Sequence, residues 1–400
     1  MNHSRRRLLA VALAGGVTAL SGCTDGDVVG GIRGGSGSDS SSEAEHGDGD
    51  DEALGDPPAP DPPTTADPLF LEYDHDRLLE ASISGGVGQD GIPSIDRPRF
   101  RPVADDPLGD GAPVFGVVRD GVARAYPQYV LVWHEIVNDV IAGEQVAVTY
   151  CPLTGTAQGF ERGAAEFGVS GHLVNSNLIM YDRETESWWP QLLATAIDGP
   201  MRGRSLREFR VVWTTLGEWR AAYPDSEVLT DDTGFARRYG SDPYGAYDPL
   251  QGYYAGDSTM FSPLSRPDDG HAKSVVIGAR TATGAIAFDK ETLLENRTLS
   301  GTIPASGAGA NGGGGSNGAD RLVAVTDPVL STGYVYRDPD GLSIEADGDA
   351  YRVEGEGGGV PAAELPLESV LAFDAMWFAW AGFYPTTAFV GRHTGPGDGR

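Results

Sequence analysis

The chain has 400 residues, with 58 acidic against 29 basic side chains and a formal net charge of −29. Such a surface repels phosphate backbones, which excludes nucleic acid as a partner. Only Lys273 and Lys290 among the basic residues are lysines, and acid excess with arginine in place of lysine is a salt-adapted, haloarchaeal-type composition, because a carboxylate-rich surface stays hydrated in concentrated salt.

At the start, Arg5-Arg6-Arg7 precedes an apolar run, Leu8 to Leu20, too short to span a bilayer as a helix. It ends in Leu20-Ser21-Gly22-Cys23, small residues followed by a cysteine able to carry a thioether-linked lipid. Residues 1–22 therefore read as a twin-arginine lipoprotein signal, with Cys23 as the lipid attachment site and the outer face of the membrane as the destination. An ordinary cleaved signal with an incidental cysteine is the alternative. Residues 23–67 are Gly, Ser, Pro and acid with one arginine, Arg33, a composition that cannot bury enough apolar surface to fold and so predicts a disordered, self-repelling tether.

Residues 68–392 remain to fold, ample for one sizeable core. Their order of motifs suggests a repeat. Val114 to Val117 with Gly121 to Tyr126 is echoed by Val276 to Ala279 with Gly284 to Phe288. Val146-Ala147-Val148-Thr149 before Pro152 is echoed by Val323-Ala324-Val325-Thr326 before Pro328, and Trp219 to Pro224 by Trp380 to Pro385. Three matches in one order predict two copies, near 113–230 and 275–391, each with several turn-punctuated strands and one helix. The expected class is α+β, β-rich, with two pseudo-symmetric halves from an internal duplication. Residues 306–318 read as a flexible Gly-rich loop. The apolar stretch 370–383 is too short for a membrane span and reads as core.

The first copy has a reactive cluster that the second lacks. His134-Glu135, then Cys151-Pro152-Leu153-Thr154-Gly155, then His172 bring a thiol and two imidazoles into one copy, whereas the second has Asn296-Arg297 and Asp327-Pro328. If Cys23 is lipidated, Cys151 is the only free thiol and no intramolecular disulfide forms. Cys151, His134 and His172 would suit copper or zinc as soft and borderline ligands. Alternatively, Cys151 serves as a nucleophile with His134 or His172 as base, or simply as a small buried hydrophobe. Glu135, Asp139, Asp182, Arg183 and Trp189 are candidates for lining a ligand cleft, against local pairing and packing. The loop Tyr239 to Tyr247 fits sugar or peptide binding, or a turn between copies. Phosphate loops, His-Glu-x-x-His and Gly-x-Ser-x-Gly elbows are absent.

The segments Asp90-Gly91-Ile92-Pro93-Ser94-Ile95-Asp96, Trp133 to Asp139, Thr149 to Leu153, Met180 to Arg183, Trp189-Pro190-Gln191 and Trp377 to Trp380 resemble domain-of-unknown-function family 3179 over roughly residues 85–392. The resemblance implies a prokaryotic, often exported protein and no particular activity. Many relatives have Cys-Pro-Leu-Cys where this chain has Cys151-Pro152-Leu153-Thr154, so a two-cysteine redox couple or clamp is excluded here. Two readings stay open: a surface binding protein, for a metal or another small ligand, and a thiol-dependent enzyme. The sequence carries no signal for oligomeric state.

Overall fold

A computed structural model describes residues 61–304 and 319–392. The signal segment, Cys23, most of the acidic stretch and the 306–318 loop lie outside the described residues. The chain enters through α1 (His75–Glu80), β1 (Ile83–Ser84) and β2 (Phe100–Pro102). A first half follows: β3 (Pro113–Arg119), β4 (Val122–Pro127), α2 (Gln128–Leu131), β5 (Ile136–Ile141), β6 (Glu144–Cys151) and β7 (Thr156–Glu161). An inserted trio, β8 (Phe167–Val174), β9 (Asn177–Asp182) and β10 (Trp188–Pro190), leads to β11 (Glu208–Phe209), β12 (Val212–Thr215), α3 (Leu216–Ala222) and β13 (Glu227–Leu229).

A linker hairpin, β14 (Gly245–Tyr247) and β15 (Leu250–Gly252), opens the way to the second half. This comprises β16 (Val275–Thr281), β17 (Gly284–Asp289), α4 (Lys290–Asn296), β18 (Thr298–Ile303), β19 (Asp320–Asp327) and β20 (Thr332–Arg337). A second inserted trio, β21 (Ile344–Asp347), β22 (Ala350–Val353) and β23 (Gly359–Pro361), precedes β24 (Glu368–Val370), β25 (Ala372–Met376), α5 (Trp377–Phe383) and β26 (Ala388–Val390).

The short turns explain the hairpins. Asp120 and Gly121 both take positive φ between β3 and β4, as do Ala142 and Gly143 between β5 and β6, and Asn175 and Ser176 between β8 and β9. Two consecutive left-handed residues match the right-handed twist of the strands they join.

The sheets pair off across the two halves. In the first, order β12-β3-β4-β13-β2 stands beside order β11-β7-β6-β5; in the second, order β25-β16-β17-β26 stands beside order β24-β20-β19-β18. β13 runs parallel to β4 and β26 parallel to β17, each the one parallel contact of its sheet. Each half holds two short helices, where the sequence predicted one.

The helix after β12 or β25 is fastened in the same way in both halves. Trp219 lies across Gly116, where a Cβ would come within 2.0 Å of its ring, and Trp380 lies across Gly278, where the figure is 2.3 Å. Trp219 Nε1 donates to Ser226 Oγ at 2.9 Å and Trp380 Nε1 to Thr387 Oγ1 at 3.0 Å. Tyr223 and Tyr384 pack on these indoles at 4.4 and 4.8 Å between ring centres. All of α5 is buried, in keeping with the core reading of 370–383, and no helix of the described residues is long and apolar enough to cross a membrane.

Two boundaries shift. Folded structure begins before residue 68, since Pro62 is buried and Thr64 bridges Leu206. The strand registers also slide one of the sequence matches by a residue. Cys151 pairs with Thr156 and Asp327 with Thr332 across equivalent four-residue turns, so Cys151 and Pro152 correspond to Asp327 and Pro328, and Thr149 to Val325.

Replacing Gly116 or Gly278 by Ala drives a methyl into an indole that strand and helix both clamp. We expect each change to cost about 3 kcal/mol, read as a lowered midpoint in urea unfolding. A midpoint unchanged in both variants would mean that the indoles are not held there.

Candidate functional site

The residues singled out by sequence separate into three groups once their positions are known. The first is scaffolding. Asp139 accepts from Arg124 Nη1 at 2.8 and 2.9 Å and from the buried Tyr126 hydroxyl at 2.5 Å. Asp182 closes its own turn through Thr185 and accepts from Trp189 Nε1 at 2.9 Å, in the core. Arg183 donates to Asp96 at 2.9 Å, Glu166 at 2.6 Å and Ser94 at 2.9 Å. Asp96 also accepts from Asn138 at 2.7 Å, and Asp90 from the Tyr181 hydroxyl at 2.6 Å. The Asp90–Asp96 segment is thereby stitched to β5 and β9, so Asp139, Asp182, Arg183 and Trp189 act on the fold rather than lining a ligand cleft.

The second group is the expected reactive triad, which the structure does not assemble. His134 is buried, with Nδ1 against the Pro93 carbonyl at 2.7 Å and Nε2 against the Tyr239 hydroxyl at 2.6 Å; burial lowers its pKa. His172 stands on β8, packed on Trp188 at 4.6 Å. Cys151 is 1% exposed, and its Sγ accepts from Leu178 N at 3.4 Å and donates to the Ser176 carbonyl at 3.7 Å. Burial, with the Glu135 carboxyl adding to it, pushes the thiol up to about 11. Among the described residues no group of three or more His, Cys, Asp and Glu side chains is placed to hold a metal ion. The copper or zinc set of Cys151, His134 and His172 is therefore not formed: both nitrogens of His134 are already engaged, and His172 packs on Trp188 with Nδ1 against the Ser170 carbonyl. A thiol neutral at ordinary pH, with no hydrogen bond to either imidazole, is a poor nucleophile.

Thr154 is buried and accepts from Asn177 Nδ2 at 3.1 Å. Asn177 also donates to Gln191, and Gln191 to Thr149.

Glu135 is the exception. It follows α2 with φ +58°, and its equivalent after α4, Arg297, has φ +69°. The left-handed turn is thus a demand of the helix-to-strand passage, whereas the carboxylic acid is particular to this position. Glu135 is buried, and its carboxyl has no hydrogen bond or ion pair among the described residues. Burial alone raises it to about 8. Tyr244 and Tyr253 from the linker pack on the core cluster that holds Cys151, and the Tyr253 hydroxyl donates to the Leu153 carbonyl at 2.7 Å.

The third group was not singled out by motif. A cavity of about 520 Å³ opens between the halves, walled by Pro113, Trp213 and Glu218 on one side, Lys273 and Lys290 on the other, and linker tyrosines Tyr247 and Tyr254. Corresponding positions of the two halves face each other across it. Pro113 pairs with Thr215 as Val275 pairs with Met376. Leu216 N donates to Ala112 O as Trp377 N donates to Ser274 O, so Gly111 and Lys273 correspond. The turn residues Gly155 (φ +57°) and Ser331 (φ +48°) also correspond, and all of these except Ala112, Leu216 and Trp377 line the cavity.

Both lysines of the chain stand in that wall. Lys290 Nζ forms an ion pair with Asp374. Lys273 is 2% exposed; its Nζ donates to the Tyr253 carbonyl and lies 3.4 Å from the centre of the Tyr253 ring. Burial lowers its pKa to about 8, Asp257 opposing. Opposite, burial would raise Glu218, but hydrogen bonds from Ser331, Thr214 and Thr215 hold it below the ordinary carboxylate range and so ionised. The signal available in the sequence was lysine scarcity: two lysines, both in one cavity.

Glu135 yields a pH test. Its folded pKa lies above its ordinary 4.5, so folding takes up a proton, and the stability tied to the protonated form is complete below about pH 4.5 and lost as pH rises to about 8. Glu135→Gln should unfold at a higher denaturant concentration than the parent at pH 8.5, by about 2 kcal/mol, and differ much less at pH 4.5. Equal pH profiles for the two proteins would show that the carboxyl is not desolvated.

A family model described as a protein of unknown function, DUF3179, matches residues 89–387. No curated protein and no solved structure matches the chain. The match spans most of the folded part and takes in the Asp90–Asp96, Trp133–Asp139, Thr149–Leu153 and Trp377–Trp380 segments: the chain belongs to the DUF3179 family.

Proposed function

We propose that the protein is an exported, lipid-anchored binding protein that holds a small organic ligand in the cavity between two halves that arose by duplication. The observation that carries this reading is the convergence of Trp213, Tyr247, Tyr254 and both lysines of the chain on one concave space of about 520 Å³. Ligand sites combine aromatic walls with a few placed charges, and they favour junctions between compact units. Equivalent strand ends meeting across the cavity support the duplication, since a binding site on a pseudo-symmetric seam can gain ligand-specific residues from either copy.

Membrane attachment is supported by the arginine pair, the short apolar run and Cys23. A Cys23→Ser protein should leave the membrane fraction for the soluble one, and its retention in membranes would end the anchoring reading. The haloarchaeal-type composition sets the conditions of any assay, namely concentrated salt.

Binding is tested by thermal unfolding of the intact protein against a panel of amino acids, sugars and organic acids. A ligand present at about one hundred times its Kd adds about 2.7 kcal/mol, a shift of several degrees. Trp213→Leu should abolish the shift for any hit. Hits that stabilise the variant as well as the parent bind elsewhere, and that result would remove the cavity from the reading.

A further inference from the structure

Six acidic residues are buried among the described residues. Five of them accept hydrogen bonds: Asp139 from Arg124, Asp182 from Trp189, Asp289 from Thr292, Asp338 from Leu342 and Asp374 from Lys290. Glu135 is the sixth. It is 6% exposed, and its carboxyl has neither a hydrogen bond nor an ion pair among the described residues. A glutamine would fill the same volume without the cost of burying an acid, so packing does not account for a carboxyl here.

The neighbouring groups supply no countercharge. Burial first, and the Glu135 carboxylate after it, raise both the Cys151 thiol and the Tyr244 phenol, which therefore stay neutral at ordinary pH. The Tyr244 hydroxyl also lacks a hydrogen bond among the described residues. Neither it nor either carboxyl oxygen of Glu135 is fully enclosed by them. Three unpartnered oxygen acceptors thus border open space where the linker passes the turn after α2.

We propose that Glu135 anchors a second binding site, for the primary ammonium group of a small organic amine that lies against the ring of Tyr244. The complement of a buried carboxylate without a partner is a cation, and a tyrosine face attracts one. A primary ammonium has three N–H donors, one for each carboxyl oxygen of Glu135 and one for the Tyr244 hydroxyl. This site goes beyond the cavity between the halves, whose lining includes neither Glu135 nor Tyr244.

Binding the ammonium displaces a proton. Burial raises Glu135 to about 8, so at pH 7 the free carboxyl is mostly protonated, and amine affinity should rise with pH until about pH 8. Cys151 and Tyr244 hold their protons across this window. Asp242, which also acts on Tyr244, is bonded by Gln128 and Tyr254, and both nitrogens of His134 are engaged.

Calorimetric titration of the intact protein in concentrated salt, with methylammonium or benzylammonium chloride in two buffers of different ionisation heat, counts that proton. About 0.9 proton should leave per amine bound at pH 7, and about 0.5 at pH 8. Glu135→Gln should weaken binding at least tenfold and remove the proton release, whereas Tyr244→Leu should weaken binding and leave the release in place. Tetramethylammonium, which has no N–H donor, benzyl alcohol and benzoate should each bind at least tenfold more weakly than the matching primary amine.

The proposal fails if neither primary amine binds, if either binds at pH 7 without releasing a proton, or if tetramethylammonium or benzyl alcohol binds equally well. The proton count on the parent decides the matter even if Glu135→Gln does not fold. Binding that survives Glu135→Gln but is lost in Trp213→Leu would put the amine in the larger cavity, which overturns the assignment to Glu135 and leaves the cavity reading standing.

Discussion

Each half depends on one steric constraint, a tryptophan from a short helix lying in a notch that only glycine leaves open in the neighbouring strand. Trp219 over Gly116 and Trp380 over Gly278 hold their helices against the sheet. The chain that leaves each helix can then add a parallel strand, β13 or β26, to the same sheet. Indoles of this size dominate the burial of a helix only seven residues long. Without them, α3 and α5 have too few turns to persist on hydrogen bonding alone.

With each half fixed in this way, their seam is set by polar contacts. Glu208 on β11 and Arg280 on β16 meet in a buried pair, and Arg210 donates to Thr332, Gly333 and Ala372 of the second half. Met376 N donates to Thr154 O across the same seam. Charged groups bonded this way are costly to expose and demand particular geometry, so they hold the walls of the cavity in place. The linker hairpin then closes one end with Tyr247 and Tyr254, which stack at 4.0 Å.

The family segments look like reagents when read as text, yet most are fasteners. Asp90, Asp96, Asn138, Tyr181 and Arg183 form one network because an extended segment that bonds the neighbouring strands only at Asp90 and Ile95 is held elsewhere through side chains. Cys151 replaces the Asp327 of the other half, whose carboxylate accepts from Val329 N and Leu330 N in its turn. At Cys151 the thiol instead faces Leu178 and Ser176 of the inserted sheet. That change of partner buries it and removes it from solvent chemistry.

Much of the architecture was legible in the sequence. Strand alternation, punctuating turns and the recurring Trp-x-x-x-Tyr-Pro endings at 219–224 and 380–385 determine β-rich halves, because these are local demands of backbone and burial. Family membership follows from the same segments. What the sequence alone left open was proximity. His134, Cys151 and His172 share a copy but not a site, since the strands and loops that carry them face different neighbours. Lys273 and Glu218, far apart in the chain, share a cavity only because the two halves pack against each other. Local pattern determined the elements; which side chains look at the same space was decided by how two folded halves and a linker pack.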